Sequence, residues 1–300
     1  MIQEGYKSGF FSIIGCPNVG KSTLLNALVG QKIAIVTDRA QTTRNRITGV
    51  LTGEGFQMVF LDTPGMTQPR NKLGQYMLKV AEKASLDTEA VLFLIDATQG
   101  IRERDRTIIG FLSSLKEPIL ALINKCDAVG EQTVTKLAEE LERTGMFREI
   151  LPISAKNGDG LETLTNVLKT YLTEGPQYFP EDMVTDQPER VICCEIIREK
   201  ALKLLREEIP HGIGVGIDNM ELREGGEIMD IWATVYCERE SHKGIIIGKN
   251  GKMLKRIGTE SRIDIESLLA TRVNLQLWIK VKEDWRNRPQ MLNELGYNEA

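Results

Sequence analysis

Two histidines and five cysteines are all that this 300-residue chain offers for soft-metal or thiol chemistry. His211 and His242 lie too far apart for a metal cluster. Cys16, Cys126, Cys193, Cys194 and Cys237 form an odd set without a CxxC. A disulfide framework and a zinc site are both unsupported, and the thiols read as small buried or half-buried side chains. Long apolar runs are missing as well: stretches such as Ala90 to Ile95 fall far short of the roughly 18 residues of a membrane helix. The first residues, Met1 to Tyr6, lack the basic stretch and apolar core of a signal peptide. These features predict a cytoplasmic protein.

The composition, 41% apolar and 27% charged, is that of a globular protein, and the length suits two domains. The net charge of −4 is unevenly spread. Residues 1–189 carry 20 basic and 24 acidic side chains, whereas residues 190–288 carry 18 and 16. Within 239–262 stand Arg239, Lys243, Lys249, Lys252, Lys255, Arg256 and Arg262 against only Glu240 and Glu260. Such a surplus attracts phosphodiester chains, though by itself it reads equally well as a solvated helix face.

In the first half, Phe10 to Ile14, Met58 to Leu61, Val91 to Ile95, Ile119 to Ile123 and Ile150 to Ile153 read as short strands. Helix patterns fall between them at Lys21 to Val29, Leu73 to Ala84, Arg104 to Ser114, Val134 to Thr144 and Leu161 to Leu172. This alternation predicts a mainly parallel sheet with helices on both faces. Asn45 to Leu51 and Phe56 to Leu61 flank Thr52-Gly53-Glu54-Gly55, a hairpin turn that adds one antiparallel edge strand.

The polar motifs stand where these strands end, the place where ligands bind in open α/β sheets. Gly15 to Ser22 (GCPNVGKS) matches GxxxxGK[ST] between a strand and a helix. The candidate phosphate-binding set is Gly15, Asn18, Val19, Gly20, Lys21, Ser22, Thr23 and Gly65. Lys21 should reach the β- and γ-phosphates, and Ser22 should bind Mg²⁺. Asp62-Thr63-Pro64-Gly65 ends the next strand; Asp62 is placed for Mg²⁺, and the Gly65 amide for a γ-phosphate. In Asn124-Lys125-Cys126-Asp127, the Asp127 carboxylate can accept from guanine N1–H and the 2-amino group. Adenine offers neither, which disfavours an ATPase. Asn124 braces that loop and the Lys125 stem lies along the base. In Ser154-Ala155-Lys156 the Ala155 amide can donate to guanine O6. GTP or GDP is therefore the expected nucleotide.

Together these ordered segments resemble the translation-factor-type P-loop GTPases. The resemblance implies a switch threonine in Gln41-Thr42-Thr43-Arg44. The adjacent threonines leave the choice open, with Thr43 favoured because it precedes Arg44. The candidate switch set is Thr42, Thr43, Asp62, Thr63, Pro64 and Met66, and the metal set Ser22, Thr43 and Asp62. Met66 stands where Ras-like proteins carry a water-orienting glutamine; a thioether cannot orient water, so slow intrinsic hydrolysis is expected. In relatives with asparagine at the position of Asn18, that side chain can ligate K⁺, and the resemblance implies K⁺ here too. Cys16 occupies a loop position on which the sequence shows no constraint.

Beyond a proline-punctuated stretch, Gly175-Pro176 through Gln187-Pro188, a helical face carries Val191, Cys194, Ile197, Ala201 and Leu205. Alternating runs follow: Ile213, Val215 and Ile217; Met229 to Cys237; and Val273 to Val281, with Asn274, Gln276, Trp278, Lys280 and Lys282 on the opposite face. Between the last two lies Gly248-Lys249-Asn250-Gly251, preceded by Ile245 to Ile247, expected as core or groove wall, and followed by a basic helix. This order resembles a KH domain of prokaryotic topology, which clamps about four unpaired nucleotides. The RNA-binding candidates are Gly248, Lys249, Asn250, Gly251, Lys252, Lys255 and Arg256. Trp285 and Arg286 could contact RNA, or Trp285 could equally dock on its own domain.

The expected organisation is a GTPase domain at 1–175, a linker at 176–189, a KH domain at 190–284 and a tail at 285–300. At this length the combination resembles the Era family of bacterial ribosome-assembly GTPases. The resemblance implies binding to the 3′ end of small-subunit ribosomal RNA, assistance in maturing the 30S subunit, a monomer, and peripheral association with the inner membrane, which the sequence does not visibly encode. The alternative is an RNA-binding scaffold with a structural, slowly hydrolysed nucleotide. An RNA-modifying enzyme is disfavoured because no second catalytic constellation is visible.

Overall fold

Alternating strands and helices bury their apolar faces through parallel pairing, and the N-terminal elements obey that rule. The computed structural model describes residues 5–39, 42–206 and 209–297; Gln41 of the expected switch segment lies outside the described residues. The chain divides into two compact units, one of Met1–Ala34, Thr43–Gln68 and Met77–Asp186, the other of Ile35–Thr42, Pro69–Tyr76 and Gln187–Ala300.

The first series of elements runs β1 (Lys7–Gly15), α1 (Lys21–Val29), β2 (Ile47–Gly53), β3 (Phe56–Asp62), α2 (Lys72–Ala84), β4 (Ala90–Asp96), α3 (Glu103–Leu112), β5 (Ile119–Asn124), α4 (Glu131–Glu142), β6 (Glu149–Pro152), α5 (Leu161–Lys169) and β7 (Thr173–Glu174). Expected and observed elements agree in order and differ at their ends. The strands lie in the order β2-β3-β1-β4-β5-β6, with β7 pairing the start of β1. All pairs are parallel except β2 with β3 and β7 with β1. Every residue of β4 and β5 is buried, as two covered faces require. Chain order reverses across β1 and β4, so a crevice opens at the carboxyl ends of β1, β3, β4 and β5.

The proline-rich stretch is strapped to this sheet's edge. Gln57 Oε1 accepts from the Tyr178 and Phe179 amides at 2.9 and 3.0 Å. Val50 N donates to the Val184 carbonyl at 2.9 Å, and Thr185 Oγ1 to the Thr48 carbonyl at 2.6 Å.

The second series is α6 (Glu189–Leu204), β8 (Gly214–Leu222), β9 (Ile228–Cys237), α7 (Glu240–Ile247), α8 (Lys252–Leu269), β10 (Arg272–Val281) and α9 (Pro289–Glu294). The sheet order is β10-β9-β8, with β9 and β10 parallel and β8 antiparallel. Ile197, Ala233, Val235, Ile257 and Ile265 join in one core beneath α6 and α8. Of the isoleucine run, Ile246 is buried in that core whereas Ile245 is half exposed.

The single apolar face expected for α6 is too narrow. Ile192, Cys193, Ile196, Arg198 and Glu199 are buried as well. The reason lies within the same unit, where Val36, Arg39 and Thr42 bind this helix. Val36 N donates to Glu199 Oε1 at 3.1 Å, and the Arg39 guanidinium donates to the Leu205 carbonyl at 3.3 Å. The Arg198 guanidinium donates to the Thr42 carbonyl and pairs with Glu195.

The C-terminal residues are packed too. Trp285 is 0% exposed, and its Nε1 donates to the Gly212 carbonyl at 2.8 Å. Its ring stacks on Tyr297 with centroids 6.3 Å apart. A buried indole has no face for a base, so the RNA-stacking alternative for Trp285 is withdrawn in favour of docking. Truncation of Trp285 to alanine should cost about 3–5 kcal/mol of stability, measured by denaturant unfolding. Oligonucleotide affinity of the folded protein should stay unchanged, and a loss of affinity without a loss of stability would reinstate the base contact.

Candidate functional site

The loop from Gly15 to Gly20 turns β1 into α1 through positive-φ residues Asn18 (67°) and Gly20 (103°). No side chain caps α1, so the first amides of the helix are left for an anion. Lys21 is 6% exposed, and its Nζ donates to the Gly15 and Cys16 carbonyls at 3.2 and 3.0 Å. Burial lowers its pKa, and neighbouring Asp62 opposes that shift.

Asp62 closes β3 beside it. Its Oδ2 accepts from Ser22 Oγ at 2.6 Å, and Ser22 Oγ lies 2.8 Å from Thr43 Oγ1. The other carboxylate oxygen, Oδ1, is buried without a hydrogen-bond partner. Two hydroxyls and a carboxylate with one orphaned oxygen form a hard-oxygen donor set that suits Mg²⁺. Thr42 does not reach this cluster; its Oγ1 donates to the Arg39 carbonyl at 2.7 Å. Thr63 Oγ1 anchors the strand end on the Ile13 carbonyl at 2.8 Å. A Cβ on Gly65 would lie 2.8 Å from Pro17, so this segment touches the phosphate loop. Met66 N donates to the Gly15 carbonyl at 3.3 Å, and its thioether side chain belongs to the core.

Asn124 joins three loops. Its Nδ2 donates to the Val19 carbonyl at 2.7 Å, and its Oδ1 accepts from the Ala155 amide at 3.0 Å. Gly20 is required here, because a Cβ would stand 2.2 Å from that Nδ2. Lys125 Nζ donates to the Asn18 carbonyl at 2.9 Å and to Asp96 Oδ2 at 2.7 Å. Ser154 Oγ donates to Asp127 Oδ1 at 2.6 Å and orients the exposed carboxylate. Lys156 is exposed beside them.

Two residues depart from the sequence reading. Cys16 is 1% exposed and belongs to the core; burial first, then Asp105, pushes its thiol up to about 12. The position is therefore constrained. Asp96 went unnoticed. Burial raises its pKa, but hydrogen bonds from Lys125 and Thr98 outweigh that and hold it below the ordinary value. A carboxylate ending a buried strand at the motif-bearing edge was the available signal.

In the second unit, Gly248 (φ 71°), Asn250 (φ 53°) and Gly251 (φ 73°) build the tight turn between α7 and α8. Gly248 cannot carry a side chain, since a Cβ would lie 2.7 Å from that of Met253, whereas Gly251 has open space. A groove of about 360 Å³ follows, lined by Gly251, Leu254, Lys255, Gly258, Thr259, Arg262, Leu275 and Leu277. Lys249, Asn250 and Lys252 are exposed at its head. Arg256 lies off the lining and pairs with Glu260 at 2.8 Å. Arg262 takes a groove position that the candidate set omitted. Arg286 is committed to Glu238 through bonds of 3.0 and 2.7 Å.

A family model described as a 50S ribosome-binding GTPase matches residues 10–125, and a KH-domain model matches residues 208–286. The GTPase Era of Clostridioides difficile (strain 630) is 52% identical over 98% of this chain and 99% of its own length. The chain belongs to the Era family of GTPases. Alkaliphilus metalliredigens Era is likewise 52% identical, over 97% of the chain and 99% of the relative. Among solved structures, an Era complex with MgGDPNP and nucleotides 1506–1542 of 16S ribosomal RNA superposes with a TM-score of 0.95 at 42% identity, covering 98% of this chain and 100% of that one. An Aquifex aeolicus Era variant bound to GDP and AlF₄⁻ gives 0.94 at 41%, with the same coverage.

The Asp62 carboxyl is pushed up from 3.8 to about 6, first by burial, against the opposing pull of Lys21 and its hydrogen bonds. The folded protein therefore holds a proton where the unfolded chain does not. The burial penalty is fully present above about pH 6 and is relieved as pH falls toward 4. Without nucleotide or Mg²⁺, Asp62→Asn should stabilise the protein at pH 7.5 by on the order of 3 kcal/mol, and the advantage should shrink toward pH 5. Thermal unfolding of both proteins across that range reads the difference; a constant gap would contradict it.

Proposed function

We propose that this chain is a slow GTP-hydrolysing switch that binds the 3′ end of small-subunit ribosomal RNA and assists maturation of the 30S subunit. The observation that carries the reading is one chain holding both the Ser22–Thr43–Asp62 cluster, with its orphaned carboxylate oxygen, and a GxxG-headed basic groove. The loop amides and Lys21 hold the β- and γ-phosphates. Asp127 selects guanine, and the Ala155 amide faces its O6 edge. Ser22, Thr43 and Asp62 hold Mg²⁺, which when bound neutralises charge on the phosphate oxygens.

Met66 is apolar and buried, so catalysis rests on positioning and charge stabilisation of an attacking water rather than on a side-chain base. Losing the γ-phosphate releases Thr43 and the Gly65 amide. Thr43 follows directly on the segment whose backbone Arg198 and Glu199 of α6 hold, which supplies a route from nucleotide state to the RNA-binding unit.

The description of the N-terminal family model points to the large subunit, whereas the full-length likeness to an Era chain solved with a 16S segment favours the small one. Cytoplasmic location, peripheral membrane attachment and a monomeric state belong to the same reading. Vesicle flotation and sedimentation velocity check them.

The deciding assay is GTP hydrolysis with and without a single-stranded oligonucleotide matching the 3′ end of small-subunit ribosomal RNA. Gly251→Asp is the control, since the site has room and aspartate tolerates a left-handed backbone. RNA should stimulate turnover several-fold, and Gly251→Asp should abolish that stimulation. An unchanged rate despite tight binding would instead leave a scaffold with a structural nucleotide.

K⁺ at Asn18 is part of the same proposal, supported by that residue's exposed position on the phosphate loop. Replacing Na⁺ with K⁺ should raise the rate, and equal rates would remove K⁺ from the mechanism.

A further inference from the structure

Helix α1 meets the chain that follows it at two points. Near its start, Ser22 Oγ lies 2.8 Å from Thr43 Oγ1 and donates to Asp62 Oδ2 at 2.6 Å. One turn further on, Asn26 reaches residues 33 and 34. Its Oδ1 accepts from the Ile33 and Ala34 amides at 3.0 and 2.9 Å, and its Nδ2 donates to the Ala34 carbonyl at 2.7 Å. Positions 22 and 26 are four apart and share one face of the helix. A single helical turn therefore holds both Ala34 and Thr43, while the residues between them, Ile35–Thr42, belong to the second unit.

The two attachments differ in chemistry. At Thr43 they are hydroxyls and a carboxylate, the groups that a cation and a γ-phosphate rearrange. At Asn26 they are a neutral amide and neutral backbone. Only one orientation of the amide satisfies all three bonds, with the carbonyl oxygen toward two N–H groups and the nitrogen toward the C=O. Asparagine is a poor helix former, so these bonds, rather than the helix, account for its place in the last turn of α1. The residues it holds are packed as well. Ile33 and Ala34 are 6% and 1% exposed and share the core with Leu25 and Leu28. Ile33 also lies over Gly49 of β2, where a Cβ would stand 3.1 Å from its Cδ1.

We propose that Asn26 is a positioning residue of the nucleotide switch, the fixed end from which the chain delivers Thr43 to Ser22 and Asp62. The start of the segment stays pinned whichever nucleotide is bound, so losing the γ-phosphate frees the Thr43 end alone. Recapturing Thr43 then costs less ordering than if both ends were loose. Asn26 thereby favours the triphosphate over the diphosphate while lying outside the phosphate loop. The inference rests on the reading of Thr43 as the switch threonine.

The first test needs no substitution. Amide exchange of the full chain is followed by NMR with Mg²⁺ and either GDP or the GTP analogue GDPNP. The Ile33 and Ala34 amides should be equally protected with both, whereas the Thr43 amide should exchange more slowly with GDPNP. Loss of protection at 33 and 34 with GDP overturns the pin. The second test measures affinity for the same two nucleotides. Asn26→Ala should weaken GDPNP about tenfold and leave GDP unchanged. Asn26→Asp keeps the two acceptor bonds and loses the donor, so it should fall between the two. Thr43→Ala, the control, should also weaken GDPNP alone. Equal weakening of both nucleotides by Asn26→Ala would mark a purely structural residue and overturn the proposal. If Thr43→Ala weakens GDPNP while Asn26→Ala alters neither nucleotide, the pin is refuted and the switch reading stands. If Thr43→Ala leaves GDPNP unchanged, the switch reading itself fails and the pin fails with it.

Discussion

Asn124 is the interaction on which the nucleotide site depends. A buried primary amide has to satisfy both its donor and its acceptor inside the protein. Here one satisfies the Val19 carbonyl and the other the Ala155 amide, so the loop from Gly15 to Gly20 and the loop from Ser154 to Lys156 share one side chain. That demand reaches outward to glycine at position 20, where Asn124 leaves no room for a Cβ. It also fixes the end of β5 against that of β6, since Cys126 N bonds the Ile153 carbonyl nearby. Lys125 repeats the pattern from the exposed side by tying the Asn18 carbonyl to Asp96.

Around this rigid frame the protein buries charge. Asp62 keeps one buried carboxylate oxygen without a hydrogen-bond partner, and burial pushes its pKa up to about 6. Arg198 and Glu199 are buried on adjacent positions of α6 and are bonded by Val36 and Thr42 and by neighbours on or near their own helix. Breaking such a contact by removing one partner leaves a desolvated charge.

Much of this was legible in advance. The order of strands and helices, the parallel sheet and the antiparallel edge follow from local periodicity, because each element's burial pattern is written into its own residues. The four nucleotide motifs follow from spacing, since a phosphate loop needs glycines, a lysine and a hydroxyl within one turn. The KH unit was readable from the alternation of β10 and the glycines of its loop. Less legible were positions whose role depends on distant chain. Cys16 looked free but is packed against Asp105 of α3, and Trp285 looked available to RNA but is buried with its indole N–H on the Gly212 carbonyl.

The sequence by itself determined the order of elements, the spacing of the polar motifs at the strand ends and the basic character of the GxxG helix, because these rest on neighbours a few residues apart. Tertiary structure alone decided which threonine hydroxyl reaches Asp62, which basic residues of α8 line the groove and which are tied up in ion pairs, and why α6 hides two charges. Those outcomes depend on side chains brought together from separate elements, some more than a hundred residues apart in the chain, and no local pattern records where such partners will meet.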